Sequence, residues 1–399
     1  MEAPPRHVLV VGAGLGGLRT AEQLREAGFD GSITLIGDEP GAPYDRPPLS
    51  KQILTGECEP ETAELRSLSG LESLSIRARL GTRAARVRPG EVLLASGESL
   101  HGDAVVVATG AASRSLPGQS DHVLTLRTIS DSVALRDALG AASSLLVIGG
   151  GFIGAEVASA ARKRGVAVTV IEALPVPFAR ALGREAGALA GRLIREGGAD
   201  LRLKARISRF LDAGDQVAVQ LEDGNAVAAD IAVTAIGAVP RTECLNVTGT
   251  SAGGIPCGPT GRVHGLAGVW AVGDAAAWED PRQGGRFRHE HWTSAVDQAA
   301  AVALDILGRP AGDRPVPYFW SDQFGLKIQV IGRPELADEV IPLRGDGLDG
   351  GPVRGTVIGY AARGRLVAVA GFGAARAVAQ SRALVANGAS TAETLAASA

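Results

Sequence analysis

Apolar residues along the chain fall into two rhythms. Short unbroken runs, rich in valine and isoleucine, end at glycine or at a carboxylate: His7 to Val11 before Gly12, Ala104 to Gly110 (AVVVATG), Leu145 to Ile148 before Gly149, Ile231 to Gly237 (IAVTAIG) and Val269 to Asp274 (VWAVGD). Such runs suit strands covered on both faces, as in parallel sheets. Between them lie stretches with helical spacing, Leu15 to Ala27 and Ala155 to Arg164, followed by the strands Ile33 to Ile36 and Ala167 to Ile171. Strand, glycine turn, helix, strand is thus written twice. From about Arg314 the texture changes to Pro315, Pro317, Tyr318 and Trp320, then to strand-like segments at Lys327 to Ile331, Val353 to Ala361 and Leu366 to Gly371. The pattern predicts an α/β fold with two Rossmann-like dinucleotide-binding domains and a C-terminal α+β domain. The Ala/Ser/Thr-rich end, Ala389 to Ala399, reads as frayed.

The two glycine turns carry the first chemistry. Gly12, Gly14 and Gly17, with Gly16 between, form a GxGxxG where strand meets helix. Small residues there let the backbone approach a pyrophosphate, and the helix N-terminal amides favour its charge. The acidic pair Asp38 and Glu39 follows the next strand at the spacing of a ribose-binding carboxylate. Gly149, Gly151, Phe152, Ile153 and Gly154 repeat the fingerprint, and Glu172 closes the second copy. A carboxylate at that strand end accepts hydrogen bonds from a free 2′-hydroxyl, whereas a 2′-phosphate wants adjacent arginines. Ala173, Leu174 and Pro175 follow Glu172, so NADH is expected over NADPH, with Arg180 the nearby residue that pulls the other way. Two dinucleotides in one chain imply a relay from a soluble nicotinamide to a tightly held flavin.

Composition narrows the setting. The chain has 399 residues, 45% hydrophobic and 21% charged, with a formal charge of −3, which excludes a disordered or nucleic-acid-coating chain. Cys58, Cys244 and Cys257 form no CxxC pair and are too few for a disulfide scaffold, so a reducing, cytoplasmic setting is expected. Met1 to His7 lacks the series of a signal peptide. The uncharged run Ala138 to Ala155 contains Ser143, Ser144 and five glycines and reads as a buried strand entering a turn; no membrane insertion is expected. Of 40 basic residues only Lys51, Lys163, Lys204 and Lys327 are lysine, so a lysine here invites a question. His289 to His291 (HEH) lacks further ligands of suitable spacing, and no metal is expected.

At this point a resemblance emerges. Gly37-Asp38-Glu39, the PYDRPPLSK string from Pro43 to Lys51, AVVVATG, Leu126-Arg127-Thr128, GGGFIGAE at 149 to 156, VWAVGDAA at 269 to 276 and YFWSDQFGLKIQVIG at 318 to 332 together resemble the NADH-dependent ferredoxin reductases. These are flavoproteins of the putidaredoxin-reductase and biphenyl-dioxygenase-reductase type, built on the glutathione-reductase plan. The resemblance implies an FAD domain at 1–112 resumed at 238–312, an NADH domain at 113–237, and a C-terminal domain at 313–399. It implies FAD contacts at Gly16, Asp38, Lys51, Ala84, Arg127, Asp274 and Trp292, with Gly237 and Gly273 in the nucleotide-binding strand ends. A helix after Trp292, capped by Thr293 or Ser294 with Asp297 in its first turn, would aim its N-terminus at the flavin. Trp292 and Trp320 are candidates to wall the flavin.

Lys51 and Glu156 are the candidates for the reactive edge. An ammonium stabilises charge changes near the flavin N5, and a carboxylate can hold both that lysine and the nicotinamide amide. Hydride transfer needs no side-chain acid, so their role is to orient and to stabilise charge. With no CxxC after the first helix, the dithiol relay of the glutathione, thioredoxin and lipoamide reductases is missing, and electrons leave the flavin directly. The expected acceptor is a small iron-sulfur ferredoxin serving a haem-thiolate monooxygenase or a Rieske oxygenase. Arg66, with Arg77 and Arg79 in weaker positions, could supply a docking patch for its acidic surface. The alternatives are a related reductase of rubredoxin or oxygen, and an NADH-responsive flavoprotein of the apoptosis-inducing-factor type.

Overall fold

A computed structural model describes residues 5–120, 122–245, 253–281 and 284–398; Met1 to Pro4 of the N-terminal segment, and Ala399, lie outside the described residues. The chain divides into two compact units. One holds Met1–Asp45, Ala63–Ala112 and Ala238–Pro315; the other holds Arg46–Thr62, Ser113–Gly237 and Val316–Ala399.

In the first unit the strands Val269–Ala271, Ala104–Val107, His7–Val11, Ser32–Ile36 and Ile76–Arg79 form one five-stranded sheet in that order, all parallel. Val8, Leu9, Val10 and Val105 to Val107 are fully buried, because both faces of the central strands are covered. Burying each such side chain is worth about 1.5–3 kcal/mol, so a charge at Val10 would break this sheet. The helices Leu15–Glu26 and Trp292–Ile306 pack against each other over the core. A three-stranded antiparallel sheet, Ala84–Arg88, Glu91–Leu94 and Ser99–His101, completes the unit's larger elements.

The second unit repeats the scheme with Asp200–Leu203, Ala167–Glu172, Ser144–Ile148, Ile231–Thr234 and Val123–Thr125, again five parallel strands in that order. The C-terminal sheet is different in kind. Tyr318–Gln323, Leu326–Gly332, Arg365–Phe372, Val357–Ala362 and Glu339–Arg344 run antiparallel, and the helix Phe152–Lys163 packs against the first of them. The α/β fold with two Rossmann-like units and a C-terminal α+β region is therefore the one the periodicity predicts.

Three local expectations are corrected. The second glycine helix starts at Phe152, not Ala155, because Gly151 already takes the extended N-cap conformation (φ −80°, ψ −174°). The helix expected to be capped by Thr293 or Ser294 starts at Trp292, with His291 at its N-cap and no side-chain cap bond, and Asp297 falls beyond its first turn. The tail expected to fray is a helix, Thr391–Ser398. Ser390 and Glu393 close a capping box before it: the Glu393 N–H donates to Ser390 Oγ, 3.2 Å, and the Ser390 N–H to Glu393 Oε2, 2.7 Å. Thr394 is fully buried, which anchors this helix.

Candidate active site

The first glycine turn is shaped by what cannot fit there. Gly12 sits at φ +112°, a conformation L side chains avoid, and a Cβ on it would lie 2.1 Å from the Ala108 carbonyl oxygen. A Cβ on Gly17 would lie 1.8 Å from the Gly12 oxygen, so the helix seats directly on the turn. Gly14, between them, faces nothing within 4 Å. That open side adjoins the N-terminus of the helix Leu15–Glu26, where Gly14 is the N-cap and no side chain caps the orphan amides. A Cβ on Gly16 would approach Val272 at 3.3 Å, so this glycine serves close packing.

Asp38, Ala84, Gly273, Asp274 and Trp292, also expected to hold the first nucleotide, belong to the same unit as this turn. Asp38 is exposed and its Oδ2 pairs with Arg241 Nη1 at 2.7 Å, while Glu39 accepts the Tyr44 hydroxyl at 2.6 Å. Ala84 opens the strand Ala84–Arg88. Gly273, at φ +71°, donates its N–H to the buried Gln298 Oε1 at 2.7 Å, and Asp274 follows it in a short 3-10 turn. The Trp292 indole donates to Asp45 Oδ1 at 2.8 Å. Burial, aided by the neighbouring His289, pushes the His291 imidazole down to about 4 against the opposing pull of Asp274.

The second turn repeats the geometry. Gly149 has φ +107°, its Cβ would sit 2.5 Å from the Ala235 oxygen, and a Cβ on Gly154 would sit 2.0 Å from the Gly149 oxygen. Gly151 faces open space, its nearest neighbour being the Ala235 oxygen at 3.9 Å. Glu172 accepts the Gly150 N–H on one oxygen and the Leu174 N–H on the other, both at 2.8 Å, which fixes the carboxylate at the strand end. Ile153 is 44% exposed although apolar, while Phe152 packs on Phe178 and Phe319 with centroids 4.7 and 5.2 Å away. Gly237, at φ +97°, accepts the Arg114 N–H through its carbonyl. Arg127 lies just before a helix capped by Thr128 and Asp131: its N–H donates to Asp131, and its carbonyl accepts from Arg46. Arg180 is exposed near the start of the helix Ala179–Glu196.

Lys51 and Glu156 are brought together. Pro47 and Pro48 start a short 3-10 turn, Pro47–Ser50, and Lys51 leaves it at φ −125°, ψ −107° before the helix Gln52–Thr55. The Ser132 hydroxyl pins this segment by donating to the Leu49 carbonyl at 2.7 Å. Lys51 Nζ lies 2.8 Å from Glu156 Oε2 and 3.2 Å from the Pro47 carbonyl, leaving its third N–H unused. Glu156 is 4% exposed. Its Oε2 also accepts the Ser50 hydroxyl, and its Oε1 accepts the Ser321 hydroxyl at 2.5 Å. A buried ion pair adds little net stability once desolvation is counted, and such charged clusters gather at functional sites.

Five residues of these sites carry no signal that assigns them a role from sequence: Arg241, Asp45, Ser50, Ser321 and Gln323. Ser50, Ser321 and Gln323 stand inside the PYDRPPLSK and FWSDQ strings, and Asp45 in the first of them, so the signal is present as a string without assigned roles. Arg66 is not a free cation. Its Nε pairs with Glu22 at 2.6 Å, and Arg19 takes the other oxygen of that buried carboxylate at 2.5 Å. Two guanidiniums on one carboxylate leave an excess positive charge there. Arg79 pairs with Glu98, and Arg77 is exposed.

Two of the three thiols are inert. Burial pushes Cys244 up to about 11 and Cys257 up to about 12, so both stay protonated at neutral pH. Among the described residues no group of three or more His, Cys, Asp and Glu side chains is placed to hold a metal, and no helix is long and apolar enough to cross a membrane.

Two cradles of this kind define a dinucleotide-dependent oxidoreductase. Residues 6–299 match the pyridine nucleotide-disulphide oxidoreductase family, and residues 318–399 match the reductase C-terminal domain. The chain is 37% identical to rhodocoxin reductase of Rhodococcus erythropolis over 338 residues, covering 83% of this chain and 79% of that one. It is 36% identical to the ferredoxin--NAD(+) reductase subunit of the benzene 1,2-dioxygenase system of Pseudomonas putida, covering 85% and 83%. The reductase in a covalent putidaredoxin reductase–putidaredoxin complex superposes with a TM-score of 0.89 at 30% identity, over 96% of this chain and 93% of that one. The chain therefore belongs to the pyridine nucleotide-disulphide oxidoreductase family, in the branch of ferredoxin--NAD(+) reductases that carry the reductase C-terminal domain. FAD and NADH are its cofactors. The residues present fit them: each turn offers an open glycine face beside uncapped helix amides, and each is followed by a carboxylate at the end of its second strand.

Proposed function

We propose that the chain is an NADH:ferredoxin reductase that draws hydride from NADH and delivers two electrons, one at a time, to a small iron-sulfur ferredoxin in the cytoplasm. That ferredoxin would in turn serve a haem-thiolate monooxygenase or a Rieske oxygenase. FAD supplies the conversion from a two-electron donor to one-electron deliveries. The chain binds and orients. In this reading residues 1–112 and 238–312 hold FAD through Gly12, Gly14, Gly16, Gly17, Asp38, Ala84, Gly273, Asp274 and Trp292, with Lys51 and Arg127 contributing. Residues 113–237 hold NADH, with Gly149, Gly151, Gly154, Phe152 and Ile153 under the pyrophosphate, Glu172 on the ribose and Gly237 at the strand end, and 313–399 form the third domain.

The observation that carries the reading is the ion pair of Lys51 with the buried Glu156, which stands on the helix Phe152–Lys163 of the second glycine turn. Glu156 can accept from the nicotinamide carboxamide, and the spare N–H of Lys51 can stabilise charge on the reduced flavin. Because no CxxC intervenes, electrons pass from flavin to partner without sulfur chemistry. Stopped-flow reduction by NADH tests this. Lys51→Ala and Glu156→Ala should each slow flavin reduction by about 10²-fold with FAD retained, and wild-type rates in both would sink the assignment. Steady-state turnover with a ferredoxin, against rubredoxin and oxygen, tests the acceptor.

A further inference from the structure

Glu156 is held on both oxygens by hydroxyls from opposite ends of the sequence. Ser50 serves Oε2 and Ser321, from the C-terminal strand Tyr318–Gln323, serves Oε1. Ser321 is 1% exposed, and its Oγ also lies 3.1 Å from Nε2 of Gln323, itself 2% exposed. A serine hydroxyl has one proton. The carboxylate has none to give, so that proton must go to Glu156, and the second contact is satisfied only if the Gln323 amide donates to the serine oxygen. Turning the amide over would put two acceptors on one hydroxyl. Among the described residues, Gln323 Oε1 is left buried without a partner. A buried acceptor left without a partner is destabilising, and stability alone does not explain keeping it.

We infer that Ser321 and Gln323 are positioning residues for the hydride step: Gln323 polarises Ser321, and Ser321 locks the Glu156 carboxylate in the orientation that receives the nicotinamide amide. This rests on the role proposed for Glu156. It brings the C-terminal domain, otherwise remote from either glycine turn in sequence, into nicotinamide recognition. With the Ser321 proton gone, the carboxylate keeps Lys51 and Ser50 on one oxygen and can rotate about its last bond. The expected loss is in binding and orientation together.

The test uses the FAD-loaded enzyme and two measurements, NAD+ binding by titration calorimetry and NADH-driven flavin reduction by stopped flow. S321A should weaken NAD+ binding about tenfold and slow reduction by a similar factor. S321T, which keeps the hydroxyl, should restore both. Gln323→Glu, which replaces the donor by an acceptor and competes for the hydroxyl proton, should reproduce the S321A defect. Wild-type binding and reduction in S321A would overturn the inference, as would equal impairment in S321A and S321T. Glu156→Ala in the same assays keeps the two levels apart. If it binds NAD+ and reduces as wild type does, the underlying role of Glu156 fails; if it is impaired while S321A is not, only the positioning role fails.

Discussion

The two glycine cradles are near copies in backbone and opposites in the side chains their helices carry. Gly12 and Gly149 adopt φ +112° and +107°, and the third glycine of each lies too close to the first one's oxygen to admit a side chain. Seven positions after the first glycine stands Arg19 in one copy and Glu156 in the other. Arg19 is on the surface side of its helix, sharing the buried Glu22 with Arg66. Glu156 is buried and gathers Lys51, Ser50 and Ser321. The turn is a local device that needs only glycines and a helix. The buried polar cluster comes from a single helical position and from segments far along the chain that converge on it.

The largest effects should come from breaking the shared part. Gly17→Ala and Gly154→Ala each force a Cβ into a backbone oxygen, at 1.8 and 2.0 Å. Gly17→Ala should give protein with no bound flavin by absorbance; Gly154→Ala should stay yellow and fail to bleach with NADH. Identical phenotypes would mean the cradles are not specialised.

An acid titration between pH 7 and pH 5 probes the first unit through His291. An unfolded imidazole titrates near 6.5 and that of His291 near 4, so between these values the unfolded chain takes a proton the native one refuses. Stability present above pH 6.5 is lost as pH falls toward 4, by about 2 kcal/mol between pH 7 and pH 5. Thermal melts of the wild type should show this drop and those of His291→Asn should not. A smaller effect is expected at Arg66, which shares the Glu22 carboxylate with Arg19. Arg66→Glu should raise the KM for ferredoxin several-fold and flatten its dependence on salt, a change that steady-state assays at two ionic strengths would reveal.

Legibility in the sequence divides along the same line. Gly12, Gly17, Gly149 and Gly154 and the strands beside them are legible because steric need and two-sided burial write themselves locally. Lys51 stands out because lysine is scarce. Ser321 is not legible as a partner of Glu156, since nothing local in a strand of alternating burial says which distant side chain its buried hydroxyl meets. Arg241 on Asp38 joins positions from opposite ends of the first unit and escapes notice for the same reason. The start of the helix at Trp292 is easily misplaced because Thr293 and Ser294 are good caps by type, yet His291 supplies the extended residue. The terminal helix is different: Ser390 and Glu393 spell a capping box that the small-residue composition around them disguises.

A protein that moves electrons in air generates peroxide whenever a transfer goes astray. This one carries three cysteines and one methionine in 399 residues, and it keeps Cys244 and Cys257 buried as protonated thiols. Protonated, solvent-shielded sulfur is a poor target for oxidants. Scarcity and burial of sulfur thus leave few of the side chains that peroxide attacks most readily.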